Sequence, residues 1–390
     1  MKLRILKIFL LIFVISSSAL AKPKARIITG NPYNLDVISS GIDAFTKAQL
    51  PLDANTTSTW IWNTGVFNQD MRTTNTPGLM WPKGSNKFAI FTSGLTIGTY
   101  MNGNLRLATA SYAGEYQPGY VDLTPAGPVF KTSTDFKLYK VVAGDNANNN
   151  PDFANWGLMV PFGAPYVDVD GNKTYTPGVD KPGIKDAAQT IFVCLTDGDP
   201  NSHSASEGFS GGTLPIFAEM HLTAWSYSSP GLEDMNFINW VVINKSGTAW
   251  DSTHFGVVVD PDLGDATDDY IGCDTTKNLG FCYNADDVDG TGASGHYGAS
   301  PPASGMDYFK SPLVPTGNPA DVDTTYFPPG SENAVIRTGV RQIGLTSFVY
   351  YNNGGTELCA TDPTGSPLEA YNYLKGNKND GTRFIHPQTL

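Results

Sequence analysis

Charged side chains are scarce in this chain, 16% of its 390 residues, and the basic ones are scarcer still: 25 Lys and Arg stand against 37 Asp and Glu, a formal charge of −12. This balance excludes the basic footprint that binds nucleic acid or an anionic membrane. Beyond residues 1–21, only Lys22, Lys24 and Arg26 cluster. Four cysteines are too few for a disulfide-dense scaffold. The five histidines, His203, His221, His254, His296 and His386, form no H-x-x-x-H and join no cysteine pair at zinc spacing, which argues against a transition-metal site. Long apolar runs are missing as well. The only one, residues 8–15, falls far short of the ~20 residues that span a bilayer, so no membrane span is expected.

That run has another reading. Lys2, Arg4 and Lys7 precede it and Ala19-Leu20-Ala21 follows it, the layout of a secretory signal peptide over residues 1–21 cleaved after Ala21. The mature chain is expected to be secreted or extracellular, at the cell surface.

Forty-one Gly, 27 Pro and 12% aromatics point to many short strands and tight turns. Strand-like runs appear at residues 59–62, 87–91, 95–101 and 105–110, with Asn102-Gly103 between the last two as a tight hairpin turn. Longer runs follow at 190–195, 215–227, 236–244 and 255–260, and the one modest helix candidate is 368–375. The fold class is mostly β: an antiparallel β-sandwich or jelly-roll-like sheets with long calcium-type loops and little helix. A polar break at 143–155 divides an N-terminal β-rich region (22–142) from a β-sandwich region (156–289). A Gly/Pro-rich loop segment (290–333) and C-terminal strands (334–390) complete the chain, with a last strand pair expected at 335–341 and 346–351.

The densest chemistry lies in residues 260–289, where nine aspartates accompany one lysine. Carboxylates this close repel one another and raise one another's pKa unless a cation neutralises them. Calcium takes six to eight oxygens and tolerates irregular loops, so Ca2+ is the expected cofactor, with Asp260, Asp262, Asp265, Asp268, Asp269 and Asp274 as ligands. Leu263, Tyr270, Ile271, Leu279, Phe281 and Tyr283 interleave the acids, unlike a purely solvating acidic run. Cys273 and Cys282 flank a turn in this segment and are expected to bridge, leaving Cys194 and Cys359. A second loop, Asp168-Val169-Asp170-Gly171-Asn172, begins like an EF-hand with Asp168, Asp170 and Asn172 as ligands. It then departs from that pattern, with Lys173 at the sixth position and Val179 at the twelfth. Asp180 stands one residue late. An ordinary Asx-turn explains the same residues.

Catalytic signals are weaker. Gly208-Phe209-Ser210-Gly211-Gly212 satisfies G-x-S-x-G, but polar residues precede the serine and Pro215 follows, so a glycine-rich turn accounts for it better than a hydrolase elbow. Glu207, Glu219 and Glu233 lie outside the aspartate cluster and are the candidates for a glycosidase pair. Trp225, Trp240 and Trp250 read as core; Trp62 and Trp81, near turns, read as exposed rings for stacking on sugars.

The stretches DPDLGDATDDYIGCDTTKNLGFCYNADD (260–287), FINWVVINKSGTAW (237–250) and LKGNKNDGTRF (374–384) resemble a group of large bacterial secreted proteins that end in a type IX secretion sorting domain. The resemblance implies an extracellular β-rich region with calcium-type loops. It carries no established activity and transfers no catalytic residue. The sorting domain itself is missing here, which leads us to expect a piece of a longer protein. Two functions remain open: a non-catalytic, calcium-stabilised β module acting in adhesion, carbohydrate contact or assembly, with extracellular polysaccharide or cell-surface components as partners, and, as the alternative, a secreted hydrolase acting on polysaccharide through paired carboxylates.

Overall fold

The computed structural model describes residues 46–72, 76–326, 334–352, 360–363 and 365–384. The expected signal peptide and Cys359 lie outside the described residues. The principal strands, in chain order, are β1 (Gln49–Leu52), β2 (Thr59–Trp62), β3 (Val66–Phe67), β4 (Thr92–Met101), β5 (Asn104–Ala108), β6 (Tyr139–Val142), β7 (Gln189–Thr196), β8 (Ala218–Ser226), β9 (Asn236–Asn244), β10 (Asp251–Asp260), β11 (Asp269–Asp274), β12 (Leu279–Asn284) and β13 (Ala303–Asp307). The chain is mostly β, as its Gly, Pro and aromatic content indicates.

Two antiparallel sheets carry the core. One has the order β1-β2-β3-β4-β10 with β5 on β4, and the other runs β6-β7-β8-β9. Both draw on the regions that the sequence places before and after the 143–155 break, since β10 pairs with β4 and β6 pairs with β7. Their inner faces meet in one cluster: Ile61, Phe67, Leu95 and Ile97 from the first sheet, and Ile191, Val193, Met220 and Leu222 from the second. Burying each such side chain contributes about 1.5–3 kcal/mol. Asn102 and Gly103 adopt φ of 50° and 77°, the left-handed pair that a two-residue hairpin between β4 and β5 requires.

The outer faces are covered by short elements. Behind the second sheet, Asn150 caps α1 (Pro151–Asn155) by accepting from the amides of Asp152 and Phe153, and Trp156 and Met159 just beyond it pack on Tyr139 and Phe192. Behind the first sheet lies α2 (Pro367–Leu374), the expected helix. Its Tyr371 and Tyr373 pack with Leu107 and Val258. Two glycines make that docking possible. A Cβ on Gly98 would stand 2.8 Å from Tyr371 Cδ2 and 2.9 Å from Leu374 Cδ1, and one on Gly256 would stand 2.5 Å from Leu374 Cδ2.

Two expectations need correction. Residues 346–351 form no strand. Val335 lies in Ala334–Thr338, which pairs with Val322–Tyr326, while Arg341 lies in Val340–Gln342, which pairs with Leu313–Pro315. Tyr351 is drawn instead into the α2 cluster, stacked 4.6 Å from Tyr373, so its ring is buried without a sheet edge. The Gly/Pro-rich segment also contains β13, which pairs with β12.

Gly98→Val should push α2 away from its sheet. Overpacking of this kind costs about 1–3 kcal/mol. Urea unfolding should show that loss of stability with an unchanged m-value; full retention of stability would mean that α2 docks without the space these glycines provide.

Candidate functional site

The loop 168–180 is closed at its base by the pairing of Tyr166–Val167 with Lys181–Pro182. Within it, Asp168 Oδ1 and Oδ2 accept from the amides of Gly171 and Lys173, each at 2.8 Å. Gly171 and Lys173 both take positive φ, 73° and 62°, which folds the chain tightly around the first carboxylate. Asp180 is 2% exposed and accepts from Val169 N and Thr176 N, both at 2.7 Å. One oxygen each of Asp168, Asp170 and Asp180 lies within 4.8 Å of the other two. Calcium–oxygen distances of 2.3–2.6 Å put opposite ligands about 5 Å apart, so the three oxygens fit around one such ion. Asn172 is turned differently. Its Oδ1 accepts from Thr174 N at 2.6 Å and its Nδ2 donates to Asp170 Oδ2 at 2.8 Å, and Asp180 supplies the third carboxylate of the group.

Of the aspartates expected as ligands in 260–289, Asp274 stands apart, while Asp260, Asp262, Asp268 and Asp269 act on one another. Within this stretch β11 and β12 form a hairpin, because the interleaved apolar residues give it a packable face. Asp274 sits at the turn of that hairpin, bound to Thr276 and 3.5 Å from Lys277. Hydrogen bonds from Thr276 hold its carboxyl below the usual range. Five residues of strand, about 17 Å at 3.4 Å per residue, separate it from Asp269. Asp260, at the end of β10, accepts the hydroxyl of Tyr112; burial, then the charge of Asp262, push it well up. Asp265 Oδ1 accepts from the amide and hydroxyl of Thr267 at 3.0 and 2.7 Å. Burial raises Asp262 to about 6. Asp269 is raised to about 8, mainly by burial, with Asp262, Asp268 and Asp289 adding to it against the amide of Leu263. Among the described residues, no salt bridge reaches Asp260, Asp262, Asp268, Asp269 or Asp289.

The expected Cys273–Cys282 bridge does not form; both are free, as is Cys194. The register explains this. Cys282 stands opposite Ile271 and Cys273 opposite Gly280, so the thiols are diagonal neighbours on one face. Diagonal positions lie about 7–8 Å apart, beyond the 3.5–4.5 Å between Cβ atoms that a disulfide needs.

Two of the three carboxylates proposed for a glycosidase, Glu207 and Glu219, are committed elsewhere. Glu207 is 1% exposed and accepts from the amides of Ser111, Tyr112, Ala113, Gly114 and Phe209 and from the Ser111 hydroxyl. Glu219 is 4% exposed, with His221 at 3.2 Å and Lys245 at 3.6 Å. The backbone carbonyl of Glu233 accepts from Thr56, and its buried Oε2 has no hydrogen-bond partner. Ser210 takes φ of 59° and is buried. Its hydroxyl has no hydrogen-bond partner, so no base activates it. Trp62, expected to be exposed, is 5% exposed and donates to Gln69 O at 2.6 Å. Trp81 is partly exposed and donates to Asp234. Trp225, expected in the core, lies instead on the outer face of its sheet. It stacks on Phe237 at 5.4 Å, and Phe237 stacks on Phe309 at 6.1 Å.

No protein family matches the chain, and no significant match exists among curated proteins or solved structures.

One buried charge group lies behind the GFSGG turn. His203 stands 3.4 Å from Glu115 and 3.5 Å from Asp197, both fully buried. Burial alone would lower its pKa, but the hydrogen bond to Asp197 and the charges of Glu115 and Asp197 prevail and raise it from 6.5 to about 9. A folded pKa above the unfolded one adds stability below pH 6.5 that is lost as pH rises through 9. The shift corresponds to stabilisation on the order of 3 kcal/mol. Melting temperature should fall between pH 6.5 and 9.5, and His203→Gln, less stable at pH 6, should flatten that fall. A parallel decline in wild type and variant would place the pH dependence elsewhere.

Proposed function

We propose that this protein is a non-catalytic, calcium-stabilised β module of a secreted or cell-surface protein, which contacts extracellular polysaccharide. The observation that carries the reading is the convergence of Asp168, Asp170 and Asp180 in one loop, three acceptor-only carboxylates within the span of a single hard cation. Calcium there would offset two of the three charges and tie both ends of the loop to the ladder beneath it. Asp168 and Asp180 would hold the ion from the two ends of the loop and Asp170 from its exposed side.

The hydrolase alternative lacks comparable support. A glycosidase acid must touch its substrate, whereas Glu207 and Glu219 spend their oxygens on interior amides and side chains. Contact with polysaccharide is supported by the row Trp225, Phe237 and Phe309, in which Phe309 is 68% exposed. Exposed aromatic faces of this kind suit stacking against apolar sugar faces.

Calcium that binds only the native state raises stability by mass action, about 2.7 kcal/mol at a hundredfold excess over Kd. EDTA should therefore lower the melting temperature by several degrees and added calcium restore it. Asp170→Asn, at an exposed position, should stay folded and reduce that response. An unchanged melting curve in EDTA together with metal-free purified protein would refute the calcium reading.

On a panel of insoluble polysaccharides, wild type should be retained on at least one and Phe309→Ala released severalfold more readily. Passage of wild type through every polysaccharide would refute the contact reading.

A further inference from the structure

Three buried oxygen atoms at the open end of the β11–β12 hairpin have no hydrogen-bond partner: Asp268 Oδ1, Asp269 Oδ1 and Asn284 Oδ1. Asp269 is 1% exposed and Asn284 7%. Register places two of them together, and the charge of the third, Asp268, acts on Asp269. Asp268 and Asp269 are consecutive, and Asp269 and Asn284 are register partners, so their side chains share a face of the hairpin.

Each side chain is also fixed by its other polar atom. Asp268 Oδ2 accepts from Gly290 N at 3.0 Å, Asp269 Oδ2 accepts from Leu263 N at 2.9 Å, and Asn284 Nδ2 donates to Asp286 O at 3.0 Å. The backbone thus holds one end of each group and leaves the remaining oxygen unpaired. Leaving a buried acceptor unmade costs about 1–3 kcal/mol, more when it is charged. Three such acceptors lie at one hairpin end, two of them on carboxyl groups, and burial holds Asp269 well above the usual carboxylate range.

We propose that a calcium ion binds at this hairpin end, coordinated by Asp268 Oδ1, Asp269 Oδ1 and Asn284 Oδ1. Oxygen donors without nitrogen favour a hard ion over zinc. A single water has two protons for three acceptors and brings no charge. Asp289, fully buried, accepts from the amides of Asp265 and Tyr297 and adds to the negative field at Asp269. Gly264 leaves room for it, since a Cβ there would lie 2.0 Å from Asp289 Oδ2. Asn284 also lines a surface cleft of about 370 Å³ together with Tyr283, Asp286 and Asp287, which brings solvent to one side of the site.

This site deepens the reading of a calcium-stabilised module and rests on it only for the identity of the ion; its residues are separate from the loop 168–180. The full chain, stripped of metal and titrated with calcium chloride by calorimetry, should bind two ions. Asp268→Asn and Asn284→Ala should each weaken one event at least tenfold and leave the other, with far-UV circular dichroism showing that both remain folded. Asp170→Asn should remove only the second event. A wild type that binds one ion, lost in Asp170→Asn, overturns this site and leaves the loop reading standing. One event lost in Asn284→Ala but kept in Asp170→Asn does the reverse. No binding at all overturns both and assigns the three oxygens to buried water.

Discussion

A β protein with long connections must find acceptors for the backbone amides of its irregular segments, and here buried carboxylates supply them. Glu207 alone takes five amides, four of them from the consecutive residues 111–114. Glu115 takes those of Thr109, Ser204 and Gly212, and Asp197 those of Ile216 and Ala218. The connection after β5 and the segment before β8 are thereby bound to each other inside the molecule, where an unpaired amide would be costly. A carboxylate suits this position because it offers about four acceptor sites and donates nothing.

The same device has an electrostatic consequence. Every carboxylate taken into the interior as an acceptor carries a charge whose desolvation must be offset. Behind the GFSGG turn the offset is internal, with His203 between Glu115 and Asp197. In the loop 168–180 and at the β11–β12 hairpin end, amides and neighbouring side chains offset part of the charge. The chain's few basic side chains mostly lie elsewhere, and Lys277 meets only Asp274, at the far turn. Raised pKa values, to about 6 at Asp262 and about 8 at Asp269, offset part of the remainder, and both proposed ion sites fall where irregular backbone is tied to aspartate.

Cysteine placement follows from strand register rather than from spacing. Nine positions separate Cys273 from Cys282, a distance that a hairpin closes easily, yet one register choice decides whether the thiols face each other or stand diagonally. The observed turn places Gly280 opposite Cys273. Cys282 then packs with Ala89 and Leu263 in a small core of its own, and burial and the adjacent Asp269 push its thiol far up.

Local sequence determined what depends on neighbouring residues. Long runs rich in Val, Ile, Phe and Trp marked β7, β8 and β9, Asn102-Gly103 marked the hairpin turn, residues 368–375 marked α2, and the aspartate spacing at 168–172 marked a loop able to gather oxygens. Partnership across distance was decided only by the tertiary structure. Asp180 replaced Asn172 in its loop because the ladder at 166–167 and 181–182 returns the chain beside Asp168. Asn284 became the partner of Asp269 through register, Glu207 and Glu219 were absorbed as interior acceptors, Trp62 turned into the core and Trp225 outward, and residues 346–351 were drawn under α2. A strand's pattern fixes which of its residues share a face, but which face is buried, and which oxygen meets which amide, depends on contacts between residues tens to hundreds of positions apart.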